Sequence, residues 1–229
     1  MILLILSVAP SIAFIIFFYY RDRYEKEPWF LLWKCFGLGA LSIFIASTIE
    51  NIFLPFFYSP EETVIIFRLF LGTFFIVGFS EEFSKYLVLR YYAWPKSYFN
   101  EPYDGIIYSV SISLGFATVE NIYYVFTHGM SVGIVRALTA IPGHVFFGVI
   151  MGYFVGLAHF NKRRKKSLLA FGFFGAVIAH GIYNFLILSE SWIGFYLFVL
   201  LLIFGWIFIF YATGKLERIS PFRKSDELK

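Results

Sequence analysis

Long apolar runs separated by short polar stretches follow one another along the whole chain. A helix rising 1.5 Å per residue needs roughly 20 such residues to cross about 30 Å of hydrocarbon. Seven segments qualify, at about 2–20, 29–57, 64–92, 104–127, 133–160, 168–188 and 192–213. Inside a bilayer no water is available to satisfy exposed backbone groups, so each run is expected as a helix. The expected fold class is therefore all-α, a polytopic transmembrane bundle of about seven spans. No repeat, low-complexity tract or linker divides it. Residues 1–213 read as a single integral-membrane domain and 214–229 as a cytoplasmic tail. The first run carries no basic residues before it, and Arg21 and Arg23 follow it. It reads as a retained span rather than a cleaved leader.

Composition agrees. The 229 residues are 59% hydrophobic and 15% charged, with a mean hydropathy of +0.74, well outside the range of soluble domains. The basic residues set the orientation. Arg21, Arg23 and Lys26, then Arg90 and Lys96, then Lys162 to Lys166, then Lys215, Arg218, Arg223, Lys224 and Lys229 all fall at the ends that face one side. Lys34, Arg68, Lys85 and Arg136 lie within spans or near their other ends. The connections expected outside, at 58–63, 127–132 and 189–191, contain no Lys or Arg. The N-terminus is expected outside and the C-terminus in the cytoplasm. "NKRRKK" at 161–166 reads as a positive-inside stop, so no nucleic-acid partner is expected. The lone Cys35 excludes an internal disulfide and a Cys-based zinc cluster.

Ionisable groups inside spans cost at least a few kcal/mol each and are functional candidates by default. Four clusters stand out: Glu81-Glu82-Lys85, Glu120-Asn121, His144, and His180 with Asn184. Each lies near the middle of its span, within about two turns, and a shared interior cavity houses them most cheaply. Glu81 and Lys85 are four residues apart and can pair on one face, with Glu82 turned about 100° away. His180 and Asn184, and Phe116 and Glu120, share the same spacing. Gly143, Gly148, Gly152 and Gly156 thin the fifth span for close helix approach, and Pro142 is expected to loosen its backbone ladder beside His144. Glu50-Asn51, near the outer end of the second span, is assigned to packing or interface. His128 and His159 are expected to be solvated at span ends.

Carboxylates and imidazoles in a dry cavity suit two hydrolytic schemes. In one, zinc held by His144, His180 and one or two of Glu81, Glu82 and Glu120 activates a water. In the other, a buried glutamate acts as general base without metal, and His and Asn donors hold the oxyanion. Neither H-E-x-x-H nor G-x-S-x-G is present, and spacing leaves both schemes open. A proton- or solute-coupled transporter is the competing class, because intramembrane Glu and His also serve proton relays. The lack of internal repeats argues against it. A non-enzymatic scaffold, in which the polar groups only fix helix packing, is a third reading.

Four ordered blocks carry a family resemblance: "EEFSK" (81–85), "DGIIYSVSISLGFATVENIYYV" (104–125), "HVFFGVIMGYFVG" (144–156) and "HGIYNF" (180–185). They resemble the signature blocks of PrsW intramembrane proteases, over roughly residues 10–190. That family is similar in turn to the CAAX-prenyl endopeptidases and Abi proteins, with their EExxxR, FxxxH and HxxxN pattern. Here Lys85 stands one place before that arginine, and Glu120 stands where the CAAX group has histidine.

The resemblance implies a membrane-embedded endopeptidase, a metalloprotease by family, in the bacterial plasma membrane. It implies a single-span substrate such as an anti-sigma factor, cut first to release a stress response. Residue by residue, it assigns catalysis to Glu81, Glu82, Glu120, His144, His180 and Asn184, with Lys85 in support. It implies zinc, with His144, His180, Glu120 and Glu82 as ligands, and Glu81 as the water-activating base. Ser109 and Ser113 replace small glycine-like positions, and Asn184 stands where an Asp is common.

Overall fold

The structure, a computed structural model, describes residues 1–56 and 65–223. The expected outer connection at 58–63 and the tail residues Lys224 and Lys229 lie outside the described residues. All regular structure among the described residues is helical. The helices are α1 (Ile2–Arg21), α2 (Trp29–Phe53), α3 (Ile65–Leu71), α4 (Phe79–Val88), α5 (Asp104–His128), α6 (Met130–Leu138), α7 (Ala140–Phe160), α8 (Lys165–Leu188) and α9 (Trp192–Arg218).

Among the described residues, six segments are long and apolar enough to cross a bilayer: α1, α2 with the 3₁₀ turn that extends it to Phe56, α5, the α6–α7 pair, α8 and α9. The expected span at 64–92 is helical from Ile65 to Ala93 but is not one uniform helix. π-helical turns at Gly72–Gly78 and Leu89–Ala93 bracket α4 on both sides. A π turn inserts an extra residue per turn and re-aims the side chains that follow it. The residues re-aimed here are Glu81, Glu82 and Lys85.

The expected span at 133–160 also divides. The break falls at Thr139, whose backbone leaves the helical region (φ −125°, ψ −60°). Pro142 lies in the first turn of α7, where its missing N–H has no helical partner to lose. It starts that helix rather than loosening it.

α5 is the axis of the bundle. Its residues from Asp104 to Thr118 are all buried, and it packs against α7, α2 and α1. Close crossings need missing side chains. A methyl at Gly152 would meet the carbonyl oxygen of Gly105 at 2.3 Å, and one at Gly115 would meet that of Phe36 at 1.9 Å. Glycine at these positions lets α5 lie against α7 and α2 backbone to backbone. Large apolar side chains along α1, α2 and α9, among them Leu41, Phe44, Ile203 and Phe204, stay exposed. In a membrane protein such faces meet lipid tails.

One end of the bundle gathers the basic segments. Arg21 at the end of α1 pairs with Glu217 near the end of α9 (3.0 Å). The Lys165 ammonium, at the start of α8, lies over Trp94 (4.9 Å). His159 belongs to this end and is not the solvated residue expected from sequence: its ring stacks on Phe99 (centroids 4.6 Å apart) and packs against Trp94. His128, at the other end, is exposed as expected. Cys35 is buried in the core.

Candidate active site

Gly78 and Gly181 bring α4 to α8. A methyl on Gly78 would sit 3.1 Å from the Val177 carbonyl oxygen, and one on Gly181 would strike the Phe74 ring at 2.5 Å. The π-helical Gly72–Gly78 stretch can therefore lie flat on α8, and the next turn delivers the two glutamates to His180. From the opposite side, Ser113 of α5 donates to the carbonyl of His144 (2.7 Å) and pins the start of α7. The serine that departs from the resembled pattern thus has a local function.

Lys85 is the hub. Its ammonium is buried and donates to Glu81 Oε2 (3.0 Å), Glu82 Oε1 (2.8 Å) and His144 Nδ1 (3.2 Å), while the Phe116 ring lies 4.1 Å away. An ammonium has three protons and no lone pair, so His144 Nδ1 is the acceptor. The proton of His144 is then on Nε2, which donates to Glu120 Oε2 (3.0 Å). His180 donates from Nδ1 to Glu82 Oε1 (2.9 Å), which leaves Nε2 of the neutral ring as a free lone pair 3.9 Å from Glu81 Oε2. The two imidazole centroids are 5.5 Å apart.

Glu81, Glu82, Glu120, His144 and His180 thus converge, as the spacing predicts. The expectation that Glu82 points away from Lys85 does not hold: Lys85 reaches both carboxylates, and Glu82 joins it to His180. Asn184 is half-buried one turn beyond His180 and joins none of these hydrogen bonds.

Two residues assigned elsewhere from sequence belong here. Arg136, on the short helix α6, contacts Glu120 Oε2 (3.2 Å), donates to Asn121 Oδ1 (3.1 Å) and stacks on Tyr124. Its distance along the chain hid this, because only the break at Thr139 folds α6 back over α5. Glu50 accepts a hydrogen bond from Ser80 (2.8 Å), beside Glu81, and has Glu81, Glu120 and His180 as titratable neighbours. It lines the rim of the cluster rather than a packing face. The pairing of Glu50 with Ser80 carries no periodic signal in the sequence.

The cluster is graded in exposure. The Glu82 side chain is fully buried, whereas Glu120 and Arg136 keep 20% and 15% of theirs. Glu120 and His180 lie about two turns from the ends of α5 and α8, and His144 in the second turn of α7. The site therefore opens toward the end of the bundle opposite the basic one.

The donor set fits a metal ion. Glu81, Glu82 and His180, and likewise Glu81, Glu120 and His144, place one donor atom each within 4.8 Å of one another. In the first trio Glu82 Oε2 is buried without any hydrogen-bond partner among the described residues, His180 Nε2 is uncommitted, and Glu82 orients the ring as carboxylates orient metal-bound histidines. In the second, both nitrogens of His144 are already engaged. Glu81, Glu82 and Glu120 outnumber Lys85 and Arg136, so the cluster retains negative charge for a cation to meet.

The family model described as PrsW family intramembrane metalloprotease matches residues 27–212. Curated relatives called Protease PrsW include one from Bacillus subtilis, 35% identical over 204 residues (88% of this chain, 89% of the relative). One from Geobacillus kaustophilus is 34% identical over 200 residues (87% and 86%), and one from Shouchella clausii is 33% identical over 226 residues (96% and 98%). No solved structure matches the chain significantly. A bundle of membrane-length helices, a buried Glu–His cluster that fits a metal, and matches over most of the chain's length agree: the chain belongs to the PrsW family of intramembrane metalloproteases and is a multi-pass membrane peptide hydrolase.

Proposed function

We propose that the cluster around Lys85 is the catalytic centre, and that it hydrolyses a peptide bond of a single-span membrane protein, a regulator of the anti-sigma-factor kind. The observation that carries this reading is the His180–Glu82–Lys85–Glu81 network. It holds one imidazole lone pair and one carboxylate oxygen 3.9 Å apart around shared space. His180 Nε2 and the unpaired oxygen of Glu82 are the ligands available to zinc, with Glu81 beside them, and Glu120 with His144 forms the neighbouring set. Zinc in that place supplies a water of lowered pKa and polarises the scissile carbonyl.

The chain's own groups divide the remaining work. Glu81 takes the proton of the attacking water. Lys85 donates to Glu81 and fixes its direction. Glu82 sets the His180 tautomer, so that Nε2 faces the reacting atoms. His144, held between Lys85 and Glu120, presents a fixed dipole beside them, and Asn184 faces the substrate from the same helix as His180. This order of groups also follows the CAAX-prenyl endopeptidase pattern, with Glu120 in the place of its first histidine.

The basic ends of the helices mark the cytoplasmic side by the positive-inside rule. The N-terminus then lies outside, residues 1–213 form the membrane domain with 214–229 as its tail, and the site opens toward the outer leaflet. The test is cleavage of a single-span substrate in liposomes by wild type, Glu81→Gln and His180→Ala, normalised to folded protein. Loss of a general base lowers the rate about 10²–10⁴-fold, and Glu81→Gln is expected to show that loss while remaining folded. Undiminished cleavage by folded Glu81→Gln moves the base to Glu82.

A further inference from the structure

Asn121 follows Glu120 on α5, turned about 100° from it, and its side chain is wholly buried. Its amide meets two other helices. Nδ2 donates to the backbone carbonyl of Ser7 on α1 (3.1 Å), and Oδ1 accepts from Nε of Arg136 on α6 (3.1 Å). Only one orientation of the amide works. A guanidinium donates and never accepts, so Oδ1 must meet Arg136, which leaves the NH₂ group for Ser7.

The Ser7 carbonyl is itself held in place. Ser7 and Ser11 are both fully buried on α1, and the Ser11 hydroxyl lies 2.7 Å from that of Thr118, three residues before Asn121 on α5. The third helix closes over them: α6 lies against both α1 and α5. A methyl at Gly133 would meet Leu6 Cδ2 at 2.6 Å and Val125 Cγ2 at 2.9 Å. Three helices therefore come together at one amide.

The consequence falls on Arg136. Its Nε and Nη2 lie along one edge of a planar fork. Asn121 takes Nε, Nη2 sits 3.2 Å from Glu120 Oε2, and the Tyr124 ring lies 4.1 Å from the guanidinium carbon. The same oxygen of Glu120 accepts from His144 Nε2 (3.0 Å), whose Nδ1 meets Lys85 (3.2 Å). An arginine held by Glu120 alone, at a partly exposed rim, keeps the freedom of its long side chain. The contact at Nε fixes the plane of the fork, and with it the place of Glu120 Oε2.

We propose that Asn121 is a positioning residue of the hydrolytic site: anchored on α1, it sets the guanidinium of Arg136 and, through it, the Glu120–His144 pair. The proposal rests on the catalytic reading of the Lys85 cluster. Asn121 acts on the reaction through Arg136 and Glu120. The first span thereby belongs to the catalytic assembly, because the carbonyl that orients the amide comes from α1.

The experiment is cleavage of a single-span substrate in liposomes, with kcat and KM measured per folded protein. Asn121→Leu keeps the branched shape and removes both hydrogen bonds. It is expected to lower kcat about 10-fold, as loss of an outer-shell partner does, with KM nearly unchanged. Asn121→Leu with Arg136→Gln is expected to match Arg136→Gln alone, because both substitutions break the same chain of contacts. Thr118→Val removes a neighbouring contact between α1 and α5 without touching Arg136, and is expected to lower Tm while kcat stays at the wild-type value. Should Asn121→Leu not fold, Asn121→Ala carries the same expectations. A wild-type kcat in the folded Asn121 variant overturns the proposal. So does a double variant slower than Arg136→Gln by the full Asn121 factor, which would make the two effects independent. A kcat loss in Thr118→Val as large as that in Asn121→Leu overturns it too, by assigning the effect to helix packing. Failure of the catalytic reading looks different: folded Glu81→Gln and His180→Ala would both cleave at full rate, and this proposal would fall with it.

Discussion

Lys85 shows how far one side chain can organise a site. Its three protons meet two carboxylates and an imidazole in a pocket closed by Phe116, so replacing it leaves buried like charges face to face. Lys85→Met is expected to destabilise the protein by about 3–5 kcal/mol, the cost typical of removing one partner of a buried ion pair. Adding Glu82→Gln should restore part of that loss by removing one of the repelling charges. Thermal unfolding of both variants checks this, and a double variant no more stable than the single one would refute the assigned balance of charge. Arg136 acts one step away, through Glu120. Arg136→Gln is expected to lower cleavage about 10- to 100-fold, as loss of an outer-shell partner does, with Tm nearly unchanged. Kinetics at wild-type rate would show that Glu120 needs no anchor from α6.

Among the elements, two devices position the cluster: the π-helical turns on either side of α4, and the glycine contacts that let neighbouring backbones touch. The second is directly testable. A methyl at Gly152 meets backbone of α5 at 2.3 Å, whereas one at Gly37 meets nothing within 4 Å among the described residues. Gly152→Ala must prise α7 from α5, and overpacking of this kind costs about 1–3 kcal/mol. Gly37→Ala only gains helix propensity, up to about 1 kcal/mol. Unfolding temperatures are therefore expected to move in opposite directions. Equal shifts would mean that the α5–α7 crossing has slack.

For the whole molecule, the prediction is topological. Reporter fusions after Gly129 should read outside, and fusions at Arg164 inside, because the basic ends gather on one side. The packing requires both to hold together. Arg21 meets Glu217, and Lys165 meets Trp94, so the end of α1, the turn before α5, the start of α8 and the end of α9 share one surface. An outside reading at Arg164 would reverse the depth of the site as well as the orientation.

Length and apolarity of the runs determined most of this protein: helices, their approximate bounds and their membrane placement follow because a bilayer leaves the backbone no alternative. The ionisable residues within those runs were legible as a site for the same reason, since hydrocarbon makes each of them costly unless it meets a partner. Which partner each one meets was not legible. A change from α to π hydrogen bonding leaves no periodic mark, so the turn of Glu82 onto both Lys85 and His180 is a product of packing against α8. The break at Thr139, which swings Arg136 over Glu120, depends on α6 finding α1 and α5 to lie on. Glu50 and the buried acids Asp22 and Glu101 look like span ends in one dimension. Their burial arises only when ends far apart in the chain are folded onto one another, because the solvent exposure of a polar group belongs to the assembled bundle and not to its own helix.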